Sequence, residues 1–423
     1  MLDLRFVREN ANAVAANCKN RGVVADVALV VGLADRRSEL IQELNELKQR
    51  QNQLAKAVGG ERDPERRENL IADSRRTKEL VPEKEAELSA VEGRLREEML
   101  KIPNMTHPDA PIGQDETENA EIRRVGEIPD FGFEPKDHVE LGESLGIVDF
   151  EAGTKVAGSK FYFLRGDAVL LELGLVRYAM DVLMEHGYEP TITPDLARDE
   201  ALVGTGFIPR GPETQIYSIE GSDLSLVATA EITLAGSLAG EILDEERLPI
   251  RLAGLSHCFR TEAGSHGRAS RGLYRVHQFT KVEMFAFTIP EQSEAVHEEM
   301  LGIEEGIFQG LGIPYRVVDI CTGDLGGAAY RKYDLEAWMP GRDAYGEITS
   351  TSNTTDYQAR RLQIRYRKEG GRPQLLHTLN GTAIAVSRTL IPLLESYQQE
   401  DGSILLPEAL VPYVGKKVLE PVA

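Results

Sequence analysis

Two rows of apolar residues, each repeating every seven positions, flank a Gly-Gly pair near the start of the chain. Leu33, Leu40, Leu47 and Leu54 form the first row, with Leu44 and Val58 on the neighbouring one. Val81, Leu88, Leu95 and Ile102 form the second. A seven-residue repeat lines up along one stripe of an α-helix, so each row predicts a helix with one face to bury. Gly59-Gly60 ends the first helix. Asp63-Pro64 opens the second, with Asp as N-cap and Pro at the first helical position. Pro82 lies inside the second helix and is expected to kink it. An intermolecular coiled coil has the same periodicity, but the tight turn favours an antiparallel hairpin over 27–101. At the α-helical rise, ~32 residues reach roughly 48 Å. Residues 1–26 predict a helical lead-in ending at Arg21-Gly22, and 102–120 a Pro-rich polar linker.

Charge is distributed unevenly around this hairpin. The 423 residues carry a net charge of −21, which opposes broad binding to DNA or RNA. Segment 27–101 holds about 15 basic and about 16 acidic residues and is near neutral, so any RNA contact is expected there. No run of ~18 apolar residues exists to span a membrane. Cys18, Cys258 and Cys321 have neither disulfide nor zinc spacing. These features predict a cytoplasmic protein of two or three domains.

Beyond the linker, helical and strand-like runs alternate. Leu170–Glu185 and Ile289–Leu311 predict helices, and 187–194 an extended segment ending in Pro194. Runs 315–320, 333–338 and 345–348 are short and turn-bounded, as in an antiparallel sheet. Gly153 to Lys160 nearly matches a phosphate-binding loop, but Ser159 precedes Lys160 where that loop needs Lys before Ser or Thr. A surface turn is expected there, and a parallel nucleotide-binding sheet is disfavoured.

The densest chemistry lies at 259–283. Phe259-Arg260-Thr261-Glu262 is followed by a Gly/Arg-rich stretch, 263–272, expected to be a mobile hairpin connection. Arg275, Val276, Phe279 and Glu283 then return on what reads as the next strand. Arg260 and Glu262 share a face if the first run is a strand. Two such strands can aim guanidinium forks at one phosphate. Further on, Glu347 and Ser350 bring a carboxylate and a hydroxyl together, a donor set suited to Mg²⁺. Asn380-Gly381-Thr382 leads from a strand at 376–379 into a helix carrying Arg388, with Gly381 leaving room for a ligand.

Together these segments resemble the motifs of class II aminoacyl-tRNA synthetases, and with Thr229-Ala230-Glu231 and the hairpin, the seryl enzymes in particular. The resemblance extends over essentially the whole chain. It implies an α+β fold: an antiparallel-sheet catalytic body flanked by helices, with an N-terminal antiparallel coiled-coil arm. Domains at 1–110 (tRNA-binding) and 111–423 (catalytic) follow from it. So does a reaction: ATP-dependent activation of L-serine to seryl-adenylate and transfer to tRNA(Ser), with tRNA(Sec) a further candidate acceptor. The long helix at 170–185 and the extended segment after it resemble the motif that builds a homodimer interface.

The resemblance also implies roles. Arg260 and Arg388 are the catalytic pair. ATP is met by Arg260, Thr261, Glu262, Arg275, Val276, Phe279, Glu347, Ile348, Thr349, Ser350 and Arg388, with adenine between Phe279 and Arg388. Mg²⁺ falls to Glu347 and Ser350. Serine is met by Thr229, Ala230, Glu231, Arg260, Glu283, Asn380 and Thr382. Thr229 and Glu283 fall on its ammonium side and Glu231 near its hydroxyl, a split the residues alone leave open. The chain departs from the family pattern at Thr382 (usually Ser), at Ala269-Ser270 and at Thr349 and Thr351. Two other readings are a non-catalytic RNA-binding relative and an amino acid:carrier protein ligase. The first lacks its sign, loss of Arg260, Glu262, Glu347 or Arg388; the second normally lacks the arm and uses Cys/His zinc ligands.

Overall fold

The computed structural model describes residues 1–208, 214–263 and 272–422. The chain divides into two compact units, Met1–Met105 and Thr106–Ala423.

The first unit is helical. Helices α1 (Leu4–Glu9) and α2 (Ala11–Asn20) precede α3 (Val27–Gly60) and α4 (Pro64–Lys101). Asp26 caps α3 by accepting from the Leu29 N–H, and Asp63 caps α4 from Arg66 N–H, with Pro64 at the first helical position. Glu61 accepts from the N–H groups of Arg62 and Asp63, which closes the three-residue turn between the helices. Helix α4 runs unbroken through the exposed Pro82. One lost backbone bond is outweighed where a long helix is packed along a partner.

The buried stripe differs slightly from the seven-residue rows. Leu40, Leu44, Leu54 and Leu95 are buried, whereas Leu33, Leu47, Val81 and Leu88 are only half-buried. Val27, Val30 and Ala34 complete the buried stripe of α3. Between the helices run Arg36–Glu87 (2.6 Å), Arg37–Glu92 (2.9 Å), Lys84–Glu43 (2.8 Å) and Lys48–Glu85 (2.8 Å). Arg36 and Arg37 of α3 reach Glu87 and Glu92 of α4, whereas Glu43 and Lys48 reach back to Lys84 and Glu85, the direction an antiparallel pair requires. Such solvent-exposed pairs add little to stability, so their main effect is on register.

The second unit is built on one eight-stranded sheet. Its strands are β1 (Ala120–Val125), β2 (Glu189–Ile192), β3 (Ile250–Phe259), β4 (Gln278–Thr288), β5 (Tyr315–Asp319), β6 (Arg331–Met339), β7 (Ala344–Asn353) and β8 (His377–Ala385). Their spatial order is β1-β5-β6-β7-β8-β4-β3-β2. Every neighbouring pair is antiparallel except β2 with β3. Helices α5 (His138–Ser144), α6 (Phe150–Ala157), α7 (Asp167–Glu185), α8 (Asp199–Thr205), α9 (Glu231–Gly236), α10 (Ser293–Gly310), α11 (Tyr357–Leu362) and α12 (Val386–Ser396) surround it.

Side-chain alternation divides the sheet into two faces. On β4, Val282, Met284 and Ala286 enter the main core with Leu171 and Leu175 of α7, Ile307 and Phe308 of α10, and Leu390 and Leu394 of α12. Phe285 and Phe287 point the other way, against Ala235 of α9 and Leu362 of α11. On this second face, toward the β3 end of β4, Phe279, Lys281 and Glu283 open into a cleft.

Three expectations need correction. Gly153–Lys160 is no surface turn: residues through Ala157 belong to α6, capped by Asp149 accepting from Ala152 N–H, and the helix ends at Gly158 with φ 102°. The helix expected from Ile289 starts with a 3₁₀ turn, Pro290–Gln292, before α10. The segment from Asn380 to Ala385 is strand, so the helix carrying Arg388 begins only at Val386. The connection expected to be a mobile hairpin lies mostly outside the described residues, as do Ala269 and Ser270.

Candidate functional site

The cleft has a volume of about 770 Å³ and is lined entirely by residues of the second unit. One end gathers Arg260, Glu262, Tyr274, Arg275, Phe279, Lys332, Glu347, Ser350 and Arg388. The other gathers Thr229, Glu231, Lys281, Glu283, Asn380 and Thr382.

Arg260 lies just beyond the end of β3, so the expected strand face shared with Glu262 does not form. The chain turns instead, with Glu262 in the left-handed region at φ 51°. Arg260 is held by its backbone: its N–H donates to the His277 carbonyl (3.0 Å), and its own carbonyl accepts from His277 Nδ1 (2.8 Å). Its guanidinium sits 5.2 Å from the centre of the Phe279 ring. Glu262 and Arg275 pair at 3.4 Å.

Arg388 is in the first turn of α12. It pairs with Glu347 at 3.0 Å and lies 4.8 Å from the centre of the Tyr274 ring, on which Arg342 also sits at 4.3 Å. Burial alone would raise the Glu347 carboxyl, but the charges of Arg388, Lys332 and Arg260 outweigh it and hold the group well below its usual range.

Glu347 and Ser350 are three residues apart, so regular alternation would put them on opposite faces. A bulge brings them together. Leu335 of β6 pairs with Thr349 and Glu336 with Glu347, which leaves Ile348 as the extra residue. Ile348 and Thr349 then both turn their side chains inward. Ile348 joins the main core, and Thr349 donates to Glu304 of α10 at 3.1 Å. Burial raises the Glu304 carboxyl well above its usual value. Glu347 and Ser350, on either side, both face the cleft. An ionised carboxylate beside a hydroxyl is an oxygen donor set that fits Mg²⁺.

At the other end, Lys281 is the centre. Its ammonium pairs with Glu283 and donates to Thr229 Oγ1 (2.8 Å) and Thr382 Oγ1 (3.4 Å). Thr382 in turn donates to Glu283 at 3.2 Å. Cross-strand register brings this about, since Thr382 lies directly opposite Glu283. Glu231 accepts from the Gln358 amide at 2.5 Å. Among the described residues Glu231 makes no ion pair. Burial, reinforced by the charge of Glu283, raises its carboxyl to about 7.

Of the residues expected at the site, Thr261 and Ala230 do not line the cleft. Thr261 donates from Oγ1 to the Thr214 carbonyl (2.7 Å), and Ala230 is fully buried against Gly254. Gly381 likewise faces away: a side chain there would meet Glu304, Met284 and Thr351, so its smallness serves packing beneath the sheet. Lys281, Tyr274, Lys332 and Gln358 were not expected. Lys281 had a sequence signal, because Phe279, Lys281 and Glu283 alternate on one strand face. Gln358 lies in a segment, 356–361, that also fits the family pattern, whereas Tyr274 and Lys332 had no such signal.

Comparison with known proteins agrees with this architecture. Residues 1–106 match the family model "Seryl-tRNA synthetase N-terminal domain", and 216–397 match "tRNA synthetase class II core domain (G, H, P, S and T)". A serine–tRNA ligase of Rubrobacter xylanophilus is 75% identical over 421 residues, covering 100% of this chain and 99% of that protein. One from Treponema denticola is 55% identical, covering 98% and 99%. The crystal structure of seryl-tRNA synthetase from Pyrococcus horikoshii complexed with ATP superposes with a TM-score of 0.95 at 40% identity, covering all of both chains. That of the Naegleria fowleri cytoplasmic enzyme in complex with AMP gives 0.87 at 36% identity, covering 100% and 99%. With a class II core behind a seryl-type helical hairpin, and relatives matched along its whole length, the chain belongs to the seryl-tRNA synthetase family.

Proposed function

We propose that the cleft joins L-serine to ATP, forming seryl-adenylate and pyrophosphate, and that the seryl group then passes to tRNA(Ser). The observation that carries this reading is one cleft with cations around a phosphate-sized end and a small polar pocket at the other. The serine carboxylate is itself the nucleophile. It attacks the α-phosphorus, a P–O bond forms, and the bond to pyrophosphate breaks. No protein base is required, because the carboxylate is already ionised. Arg260 faces both anions and stabilises the charge that accumulates between them. Phe279 offers the adenine a ring face, Glu262 accepts from its amino group, and Arg275 and Arg388 meet the outer phosphates. Glu347 and Ser350 would hold Mg²⁺, which supplies shielding of phosphate charge when bound. In the second step a hydroxyl of the terminal adenosine attacks the activated carbonyl, and AMP leaves. The hairpin α3–α4 is the tRNA-binding element, and a homodimer is the working assembly.

For the serine pocket we favour a split opposite to the one implied by family resemblance. Glu283 already has a cation in Lys281, so its charge is balanced before substrate arrives. Among the described residues Glu231 feels the charge of Lys281 but has no cation paired with it, and the ammonium of serine supplies one. Glu283 and Thr382 then read the hydroxyl. Alanine is rejected because it would leave those buried polar groups unpaired.

Two results test this. Proton and ammonium compete for Glu231, whose carboxyl is raised to about 7. Serine KM therefore rises as pH falls below that value, by up to about tenfold per unit, and Glu231→Gln flattens the profile. Glu283→Gln relaxes the preference for serine over alanine by about 10²-fold or more, while Glu231→Gln weakens both amino acids alike. A relaxed preference in Glu231→Gln instead would reverse the split. The reaction itself is tested by amino-acid-dependent pyrophosphate–ATP exchange with serine, threonine, alanine, cysteine and glycine. Exchange with serine alone is expected, and none with any of them would remove the proposal.

A further inference from the structure

Outside the cleft, one fully internal pair connects three segments that meet at its nucleotide end. His138, at the start of α5, and Glu395, near the end of α12, are 5% and 0% exposed. His138 Nδ1 and Glu395 Oε1 are 2.8 Å apart. The same oxygen accepts from the His138 backbone N–H at 3.0 Å. Glu395 Oε2 accepts from the Gly341 N–H at 2.9 Å. On the far side of the ring, the Leu273 N–H donates to His138 Nε2 at 3.1 Å.

These contacts fix the tautomer. A backbone N–H can only donate, so Nε2 is the acceptor and the ring hydrogen is on Nδ1, aimed at Glu395. The ring approaches the chain closely here. Gly272 has φ 94°, and a side-chain carbon on it would come within 2.1 Å of Nε2. Leu273 is followed at once by Tyr274 and Arg275. Gly341 is followed by Arg342, and Arg388 lies two turns before Glu395 on α12. Tyr274 carries both guanidinium groups, Arg342 at 4.3 Å and Arg388 at 4.8 Å from its ring centre. Arg388 Nε also donates to the Tyr274 carbonyl at 3.4 Å.

We propose that His138 is a positioning residue for ATP: seated on Glu395, to which its backbone N–H also donates, it holds the Leu273 N–H from Nε2 and so sets where Tyr274 and Arg275 stand relative to Arg388. Neither His138 nor Glu395 lines the cleft, so the action is indirect. The inference rests on the cleft reading above, in which Arg275 and Arg388 meet the nucleotide.

The two ring nitrogens can be tested separately, since an Asn amide falls near the Nδ1 position and a Gln amide near Nε2. His138→Gln keeps an acceptor for Leu273 and is expected to hold the ATP KM within about threefold of the parent. His138→Asn keeps a donor to Glu395 but loses Leu273. It is expected to raise the ATP KM about tenfold in serine-dependent exchange, with serine KM unchanged within about twofold. Its melting temperature should stay within about 3 °C. Equal ATP KM in the two variants, or serine and ATP KM rising together, would overturn the proposal. Should His138→Asn not purify folded, Gly272→Ala makes the same comparison by crowding Nε2, and a loss not selective for ATP again overturns it. Arg388→Ala separates the two levels. If it leaves ATP KM unchanged, the cleft reading itself fails. If it raises ATP KM while the His138 variants do not differ, only the positioning role fails.

Discussion

Arg260→Lys lowers kcat/KM for serine-dependent exchange by about 10³-fold in a protein that remains folded. The side chain is placed by its own backbone, clipped to His277 through two hydrogen bonds, and its guanidinium rests on Phe279. A lysine keeps the charge and the clip but loses the planar fork. A fork can meet an oxygen of the carboxylate and one of the α-phosphate at once, whereas an ammonium acts as a point charge. The demand is greatest when the two anions come within bonding distance, so the loss falls mainly on kcat. Steady-state exchange with purified enzyme measures it. A rate within tenfold of the parent would take Arg260 out of the central role.

Replacing residues 27–101 with a short Gly/Ser linker leaves exchange within about threefold but lowers charging of tRNA(Ser) by about 10³-fold or more. Every cleft-lining residue belongs to Thr106–Ala423, which has its own apolar core. The hairpin has a separate buried stripe of Val27, Val30, Ala34, Leu40, Leu44 and Leu54. Removing it takes no side chain from the site. It does take away the stretch in which basic residues nearly match acidic ones, in a chain whose net charge is −21. Equal loss of exchange and charging would mean that the hairpin supports the fold of the body.

The hairpin was legible because its signals are local. A seven-residue row, a Gly-Gly stop and an Asp-Pro start each act over one or two helical turns, and tertiary context had only to accept them. The Phe259–Glu283 segment was legible as a candidate site, several of whose residues line one cleft, but not in shape. Its residue types mark phosphate chemistry, while the left-handed turn at Glu262 is imposed by partners distant in sequence, such as Gln215 and His277. Gly381 shows the same limit. Its closeness to Asn380 and Thr382 suggested room for a ligand, yet strand alternation turns it toward Glu304 and Met284. Lys281 could have been found, since it lies between Phe279 and Glu283 on one strand face. The link from His138 to Leu273 spans 135 positions and joins a helix start to a bend, and no sequence period encodes such a contact.

If Glu347 and Ser350 hold a metal as proposed, the bulge in β7 would bear on ion selectivity. Its extra residue, Ile348, is 1% exposed and anchored in the main core, and Thr349 is tied down to Glu304. The spacing of Glu347 and Ser350 is therefore set by apolar packing and is settled when the sheet forms. A pair fixed in this way cannot spread to build the larger, more adaptable shell that Ca²⁺ favours. Holding a metal as proposed, so rigid a pair would suit a small ion such as Mg²⁺, which asks for few protein oxygens.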